Sequence, residues 1–214
     1  MIAEQDWKRL LADVAAKLPG ASMAEIKSVA FDTLHEFFKD SSCWIETLTV
    51  PVTPASTTYD LVVGEGQLVR LLGVLDANNQ PVKALMPAIG QLQLAFSVNT
   101  NQTYTAYVAL NVTLPLQKGM QPVAPDWVLP LWGPYITQGI IGNMMNVEQR
   151  TYSSVRGAAY NLKRFRDAIS QARTEALSRY TLGGAAWRFP GDFSTRGQKG
   201  GISTGTDTRF TSWP

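Results

Sequence analysis

The chain has 214 residues, of which 45% are hydrophobic and 17% are charged, and its formal net charge is +2. This composition is that of a globular protein with a buried core, and no apolar run reaches the roughly 18 residues that a transmembrane helix needs. The single cysteine, Cys43, cannot form an internal disulfide. We therefore expect a protein that is made in a reducing cytoplasm and does not enter a membrane.

Charge is distributed unevenly along the chain. Residues 1–150 contain 9 Lys or Arg and 13 Asp or Glu, a balance of −4, whereas residues 151–214 contain 10 and 4, a balance of +6. Such a chain could stack head-to-tail on copies of itself, or set its basic end against nucleic acid or an acidic partner. A solvated basic face explains the same asymmetry equally well.

Two amphipathic helices are predicted at the start of the chain. Apolar residues spaced by three and four predict the first helix from Glu4 to Leu18, and Pro19 with Gly20 ends it. The motif from Ser22 to Glu25 is typical of a capping box and predicts a second helix that ends at about Lys39. Because the link is short, the two helices are expected to pack antiparallel.

Between residues 44 and 115 the hydrophobic period changes from helical spacing to two. Apolar and polar residues alternate from Trp44 to Val63, which predicts strands. Two hairpins are predicted next, joining residues 67–76 to 82–85 and residues 92–98 to 104–114. Residues 44–115 should therefore form a mostly antiparallel β module of five or six strands.

Two further helices are predicted after the strands. Pro125 and Asp126 are suited to the first turn of a helix. Pro130 and Gly133-Pro134 interrupt the pattern, so we expect a short helical turn and a kink before a helix from Tyr135 to about Val147.

The last helix, from about Tyr152 to Tyr180, has the most regular periodicity in the sequence and would be roughly 40 Å long. Its predicted buried stripe consists of Val155, Ala158, Ala159, Leu162, Phe165, Ile169, Ala172, Ala176 and Leu177. Most of its basic residues lie off that stripe and predict a basic outer face, formed by Arg156, Lys163, Arg164, Arg166, Arg173 and Arg179.

Residues 183–214 have a different composition from the rest of the chain. They contain seven glycines and no apolar periodicity, which is typical of flexible or extended chain, yet they carry large aromatic residues with basic residues between them. We predict an arm that docks into pockets on a partner, with a tail packed on its own domain and a disordered tail as alternatives. The predicted partner-binding residues are Trp187, Arg188, Phe189, Phe193, Arg196, Phe210 and Trp213.

No catalytic or metal-binding motif is found in the sequence. With only His35 and Cys43, the chain lacks the four Cys or His ligands of a structural zinc site. It has no phosphate-binding glycine loop and no pair of carboxylates spaced for acid–base catalysis. We therefore expect a protein that is not an enzyme and that binds no metal and no cofactor.

Three groups of residues, spread over nearly the whole chain, carry a resemblance to a known family. They are Phe37-Phe38 followed by Cys43-Trp44 and the strand through Leu48, then Pro125-Asp-Trp-Val-Leu with Trp132, Ile136 and Gly139, and finally Tyr152, Phe165, Ile169 and Ala172 in the long helix. Their order resembles that of bacteriophage head-to-tail adaptor (connector) proteins. These proteins form the ring below the portal.

The predicted elements and the resemblance together give an α+β fold. We expect a helical bundle formed by residues 1–43 and 116–182, an inserted antiparallel β module at 44–115, and an extended C-terminal docking arm at 183–214. The bundle has two N-terminal and two C-terminal helices, the last of them long.

The resemblance implies a structural virion protein at the head–tail junction, made in the host cytoplasm. A homo-oligomeric ring, with 12 copies in the family pattern, would bind the portal protein on one side and tail or nozzle proteins on the other. Genomic DNA would pass through its lumen without sequence-specific binding. The alternative is a nucleic-acid-binding accessory protein that uses the basic long helix and the aromatic–basic tail.

Overall fold

The computed structural model describes residues 1–113 and 121–180, and Met1–Tyr180 form one compact unit. The described residues contain two N-terminal helices, antiparallel β-sheets and two C-terminal helices that pack together. This confirms the predicted α+β fold. The helices are α1 (Glu4–Lys17), α2 (Met23–Ser41), α3 (Val128–Met145) and α4 (Val155–Tyr180).

Both ends of α2 are fixed by specific hydrogen bonds. The Ser22 hydroxyl oxygen accepts a hydrogen bond from the Glu25 backbone N–H at 3.2 Å, which confirms the predicted N-cap. At the other end, Ser42 adopts a left-handed conformation, with φ 53°, and ends the helix. The Arg173 guanidinium on α4 donates to the carbonyl oxygen of Asp40, with Nε 2.8 Å away. The cation therefore lies at the negative end of the α2 dipole.

Seven strands form two antiparallel sheets in the described residues. The strands are β1 (Ile45–Val52), β2 (Thr58–Asp60), β3 (Gln67–Leu75), β4 (Pro81–Val82), β5 (Ala84–Leu85), β6 (Gln91–Leu94) and β7 (Gln102–Asn111). One sheet has the order β1-β7-β3-β4 and the other has the order β2-β6-β5. The predicted hairpin of residues 67–76 with residues 82–85 is confirmed only next to its turn, where β3 pairs with β4; residues 84–85 form β5, which pairs with β6 in the other sheet.

The second predicted hairpin is wrong, because β6 and β7 belong to different sheets. β6 pairs with β2 and β5, whereas β7 pairs with β1 and β3. Residues 108–112 of the chain are all buried and all apolar except Asn111, a pattern that is typical of a central strand covered on both faces. This burial favours a position for β7 in the middle of the larger sheet. The seven-residue link from 95 to 101 is long enough for the chain to pass from one sheet to the other.

The predicted start of the third helix at Tyr135 is also wrong, because α3 begins at Val128 and continues through Pro134. An interior proline removes one backbone hydrogen bond and costs about 3 kcal/mol. The helix persists because most of its residues are buried, among them Trp132, Ile136 and Ile140. α3 packs against α1, α2 and α4, and burying several large side chains at about 1.5–3 kcal/mol each outweighs the cost of one proline.

Only part of the predicted stripe on α4 is buried. Ala158, Phe165, Ile169, Ala172 and Ala176 are buried, and so is Ala168, which was not predicted. Leu162 is half-buried, while Val155, Ala159 and Leu177 are exposed. Ala159 and Leu177 each lie one position round the helix from a buried alanine, and Val155 is the first helical residue. The buried face of α4 is therefore narrower than the apolar stripe predicted from the sequence.

The buried side chains form two clusters. One lies among the four helices and includes Phe37, Phe165 and Ile140, and the other lies between the strands and includes Leu92 and Leu110. Trp44, just before β1, packs against both clusters. This indole therefore marks the junction between the helices and the sheets.

Candidate docking surfaces

The predicted partner-binding residues lie outside the part of the chain that the structure describes. They are Trp187, Arg188, Phe189, Phe193, Arg196, Phe210 and Trp213. Their role as a docking arm stays a prediction. The described residues instead show which surfaces are available near the end of α4, where that segment begins.

A concave site of about 350 Å³ lies beside the last turns of α4, and we refer to it as the aromatic pocket. Its volume is within the range of small-ligand clefts, at the lower end. It is lined by Cys43, Trp44, Ile45, Trp127, Leu131, Trp132, Ala172, Glu175 and Ala176. The segments that build it are the turn between α2 and β1, the start of α3 and the end of α4.

Two phenylalanines at the end of α2 hold the indole rings of the aromatic pocket in place. The centroid of the Phe38 ring is 5.6 Å from that of Trp44 and 6.3 Å from that of Trp127. The Phe37 ring lies 5.8 Å from Trp132. These distances are those of favourable tilted and edge-to-face aromatic pairs. Since both phenylalanines are almost fully buried, the walls of the pocket are preorganised.

The rim of the aromatic pocket combines an apolar side chain with a carboxylate. Leu131 is 61% exposed, although it is a leucine in the least polar helix of the described chain. Glu175 is exposed, and its carboxylate accepts a hydrogen bond from Gln171 Nε2 at 3.0 Å. The arrangement therefore suits a ligand with a large apolar group next to a positive charge.

The Cys43 thiol in the wall of the aromatic pocket is a poor nucleophile. Burial raises its pKa to about 11, although the Ser41 hydroxyl donates a hydrogen bond to Cys43 Sγ at 3.1 Å, and the nearby Glu175 carboxylate raises the pKa further. The raised pKa keeps the group as the neutral thiol near neutral pH. The pocket is thus suited to binding and not to covalent chemistry.

A second surface, the basic face of α4, is formed by Arg156, Lys163, Arg164 and Arg166. Residues 155–166 carry these four cations and no carboxylate, and all four side chains are exposed. Arg164 lies over the Tyr160 ring at 5.7 Å from its centroid and donates to its hydroxyl at 3.2 Å. Arg173 instead holds the end of α2, and the side chain of Arg179 lies outside the described residues.

A second cleft, of about 570 Å³, lies between α1 and α3 and has a mixed lining. Asp6, Arg9, Asp13 and Lys17 bring both signs of charge to its α1 wall, and Pro134 lies on its α3 wall. This balance of charge favours no particular ligand. His35 is half-exposed on α2, away from this cleft's lining.

Within residues 1–113 and 121–180, no group of His, Cys, Asp or Glu side chains is placed to hold a metal ion. None of the helices there is both long enough and apolar enough to cross a lipid bilayer.

The sequence analysis did not identify the aromatic pocket as a site. Three of the six tryptophans in the chain line the pocket, and this high tryptophan content is the only feature of the sequence that could have indicated it. Their positions, 44, 127 and 132, lie in segments that only the fold brings together. Comparison with the profiles of known protein families gives no match, and comparison with curated protein sequences gives none either.

Proposed function

We propose that this protein is a bacteriophage head-to-tail adaptor, a structural subunit that forms a ring between the portal and the tail around the DNA exit channel. The observation that carries the proposal is the aromatic pocket at the end of α4. It gives the folded part of the chain a preorganised apolar socket, next to the point where a segment rich in aromatic and basic residues begins.

A ring requires each subunit to present two different surfaces, one for each neighbour. A socket on the folded part and a segment rich in large aromatics provide such a pair. The helical bundle supports this role, because α3 is anchored on three sides by α1, α2 and α4 and gives a rigid frame. The portal would bind at one end of the ring and tail or nozzle proteins at the other.

Deleting residues 183–214 is expected to abolish stable assembly with the portal while leaving residues 1–180 folded. Met1–Tyr180 form one compact unit with its own two buried clusters, so its thermal unfolding should be retained. Assembly would be followed by the solution mass of the protein, alone and mixed with a candidate portal protein. The full chain should give a large defined complex with the portal, and the truncated chain should not.

A matched control keeps the length of the tail and removes its rings. In this variant Trp187, Phe189, Phe193, Phe210 and Trp213 are all replaced by serine. If the aromatic rings carry docking, this chain should behave like the deletion. A truncated protein that still joins the portal would refute the arm's role in the adaptor.

The alternative function is a nucleic-acid-binding accessory protein, and the basic face of α4 is the observation that favours it. Four exposed cations within 12 residues, with Arg156 in the first turn at the positive end of the α4 dipole, are suited to phosphate contacts. Glu36 of α2 is close enough to Arg166 to interact with its charge. The charge of the whole chain is less favourable, with 19 basic and 17 acidic residues.

Salt titration separates the two functions. If the protein contacts about three phosphates through Arg156, Lys163 and Arg164, log K for single-stranded DNA should fall with log salt at a slope of about −2. Replacing these three residues with glutamine should remove that dependence. Assembly with the portal through apolar contacts should instead persist at high salt, because apolar burial is not screened. DNA binding with this slope and no association with the portal would favour the accessory protein.

A further inference from the structure

We propose that the aromatic pocket is the receptor for the C-terminal segment of a second copy of this chain. The Trp187 ring of one copy would enter the pocket of the next, and the neighbouring Arg188 would face Glu175. This inference rests on the proposed adaptor function and deepens it. It assigns the pocket to the contact between subunits and leaves the portal another surface.

The apolar character of the pocket requires an apolar occupant. Its walls hold the rings of Trp44 and Trp127, both half-buried, and Leu131 is left 61% exposed at the mouth. Large aromatic side chains bury about 150–250 Å² each and are enriched as anchors in protein interfaces. Among the residues beyond Tyr180, Trp187 is the first ring of this size along the chain.

The charge at the rim selects the same stretch of sequence. Glu175 places a carboxylate beside the apolar walls, and the described ion pairs do not include it. An arginine directly after the anchoring ring can pair with this carboxylate while its neighbour fills the pocket. The sequence Trp187-Arg188-Phe189 supplies that order: ring, cation, ring.

The position of the pocket on α4 favours a second copy as the source of the segment. The helix extends for about one turn beyond Ala176, to Tyr180, so the chain passes the pocket while still moving along the helix axis. Entering its own pocket would require the chain to reverse direction. Contact with a neighbouring copy can avoid that reversal, and a repeated head-to-tail contact of this kind generates a ring when the rotation between copies closes.

Photo-crosslinking of the full chain tests this contact directly. Trp187 is replaced by the photoreactive aromatic residue benzoylphenylalanine, and this protein is made in ¹⁵N-labelled form. It is mixed with unlabelled wild-type protein under assembly conditions and irradiated. We expect crosslinks from the labelled peptide around position 187 to unlabelled peptides that contain Trp44, Trp127 or Leu131.

Two matched substitutions define the surface that is crosslinked. Leu131→Glu in the unlabelled copy should reduce these mixed-label crosslinks about tenfold, as expected for loss of an interface anchor site. Leu85→Glu should leave them unchanged, because Leu85 is a similarly exposed leucine, at 68%, on β5 and outside the pocket. Both leucines are largely in solvent, so neither change should unfold the protein.

A charge exchange tests the predicted pair. Glu175→Arg should weaken crosslinking, and Arg188→Glu in the labelled copy should restore it. Crosslinks confined to peptides of the same isotope would overturn the proposal in favour of the chain's own tail. Crosslinks to the portal alone would overturn it too, but would leave the adaptor function standing. Mixed-label crosslinks without any portal binding would support the contact between copies and overturn the adaptor function.

Discussion

Replacing Gly139 with alanine is expected to destabilise the protein by about 1–3 kcal/mol, the usual cost of overpacking a core. Gly139 lies in α3 at a point where both α2 and α4 approach it closely. A Cβ atom there would approach Phe165 Cδ2 to 2.7 Å and Thr33 Cγ2 to 2.8 Å. Both neighbours are 0% exposed, and they belong to α4 and α2, so neither can move without shifting a helix.

Gly133, six residues earlier in the same helix, provides the matched control. Apart from its chain neighbours and the backbone of its own helix, the nearest atom to a Cβ there is Leu129 Cβ at 4.0 Å, an ordinary contact. Gly133→Ala should therefore cost at most about 1 kcal/mol, because alanine favours the helix over glycine, whereas a Cβ directly before Pro134 disfavours helical backbone. Chemical denaturation of both variants gives the comparison. Equal stabilities would contradict the close approach of the three helices.

The sequence predicted the elements whose signals are local. The capping motif at Ser22 and the stop at Pro19-Gly20 placed the N-terminal helices to within about two residues. The change of period at Trp44 located the start of the β module. Each of these signals depends on residues within a few positions of one another, so no tertiary contact had to be known.

The errors arose where distant contacts decide the structure. Pairing of Leu92–Val98 with Tyr104–Leu114 was the locally simplest choice, but the partners of β7 are β1 and β3. The burial available between those strands is not visible in the hairpin sequence. Likewise, Pro134 is a strong local helix breaker, and only the packing of α3 against three helices compensates for it.

The sequence alone predicts the aromatic pocket even less well than it predicts the order of the strands. Trp44 and Trp127 are separated by 83 positions, the difference between their numbers, and each is an unremarkable tryptophan at an element boundary. Their proximity depends on Phe38, which contacts both rings. The aromatic residues predicted to form the arm indicated that a pocket for large rings should exist, but they did not indicate where it lies.

Gly66→Ala is expected to destabilise the protein by about 2–3 kcal/mol and also to disturb the aromatic pocket, because two costs coincide at this position. Gly66 has φ +77°, a conformation that alanine rarely adopts. A Cβ there would lie 2.7 Å from Trp44 Cη2 and 2.9 Å from the backbone oxygen of Asn111. The Asn111 carbonyl belongs to β7, the central strand, so the indole of Trp44 is the group that must move.

Gly64→Ala, two residues away in the same turn, is the control, since a Cβ there has no neighbour within 4 Å. Denaturation should show a loss for Gly66→Ala and almost none for Gly64→Ala. Near-ultraviolet circular dichroism should change only for Gly66→Ala, reporting the displaced indole. If the two variants unfold alike, the turn does not press on Trp44. If Gly66→Ala also weakens self-association, the shape of the pocket depends on a turn that lies outside its lining.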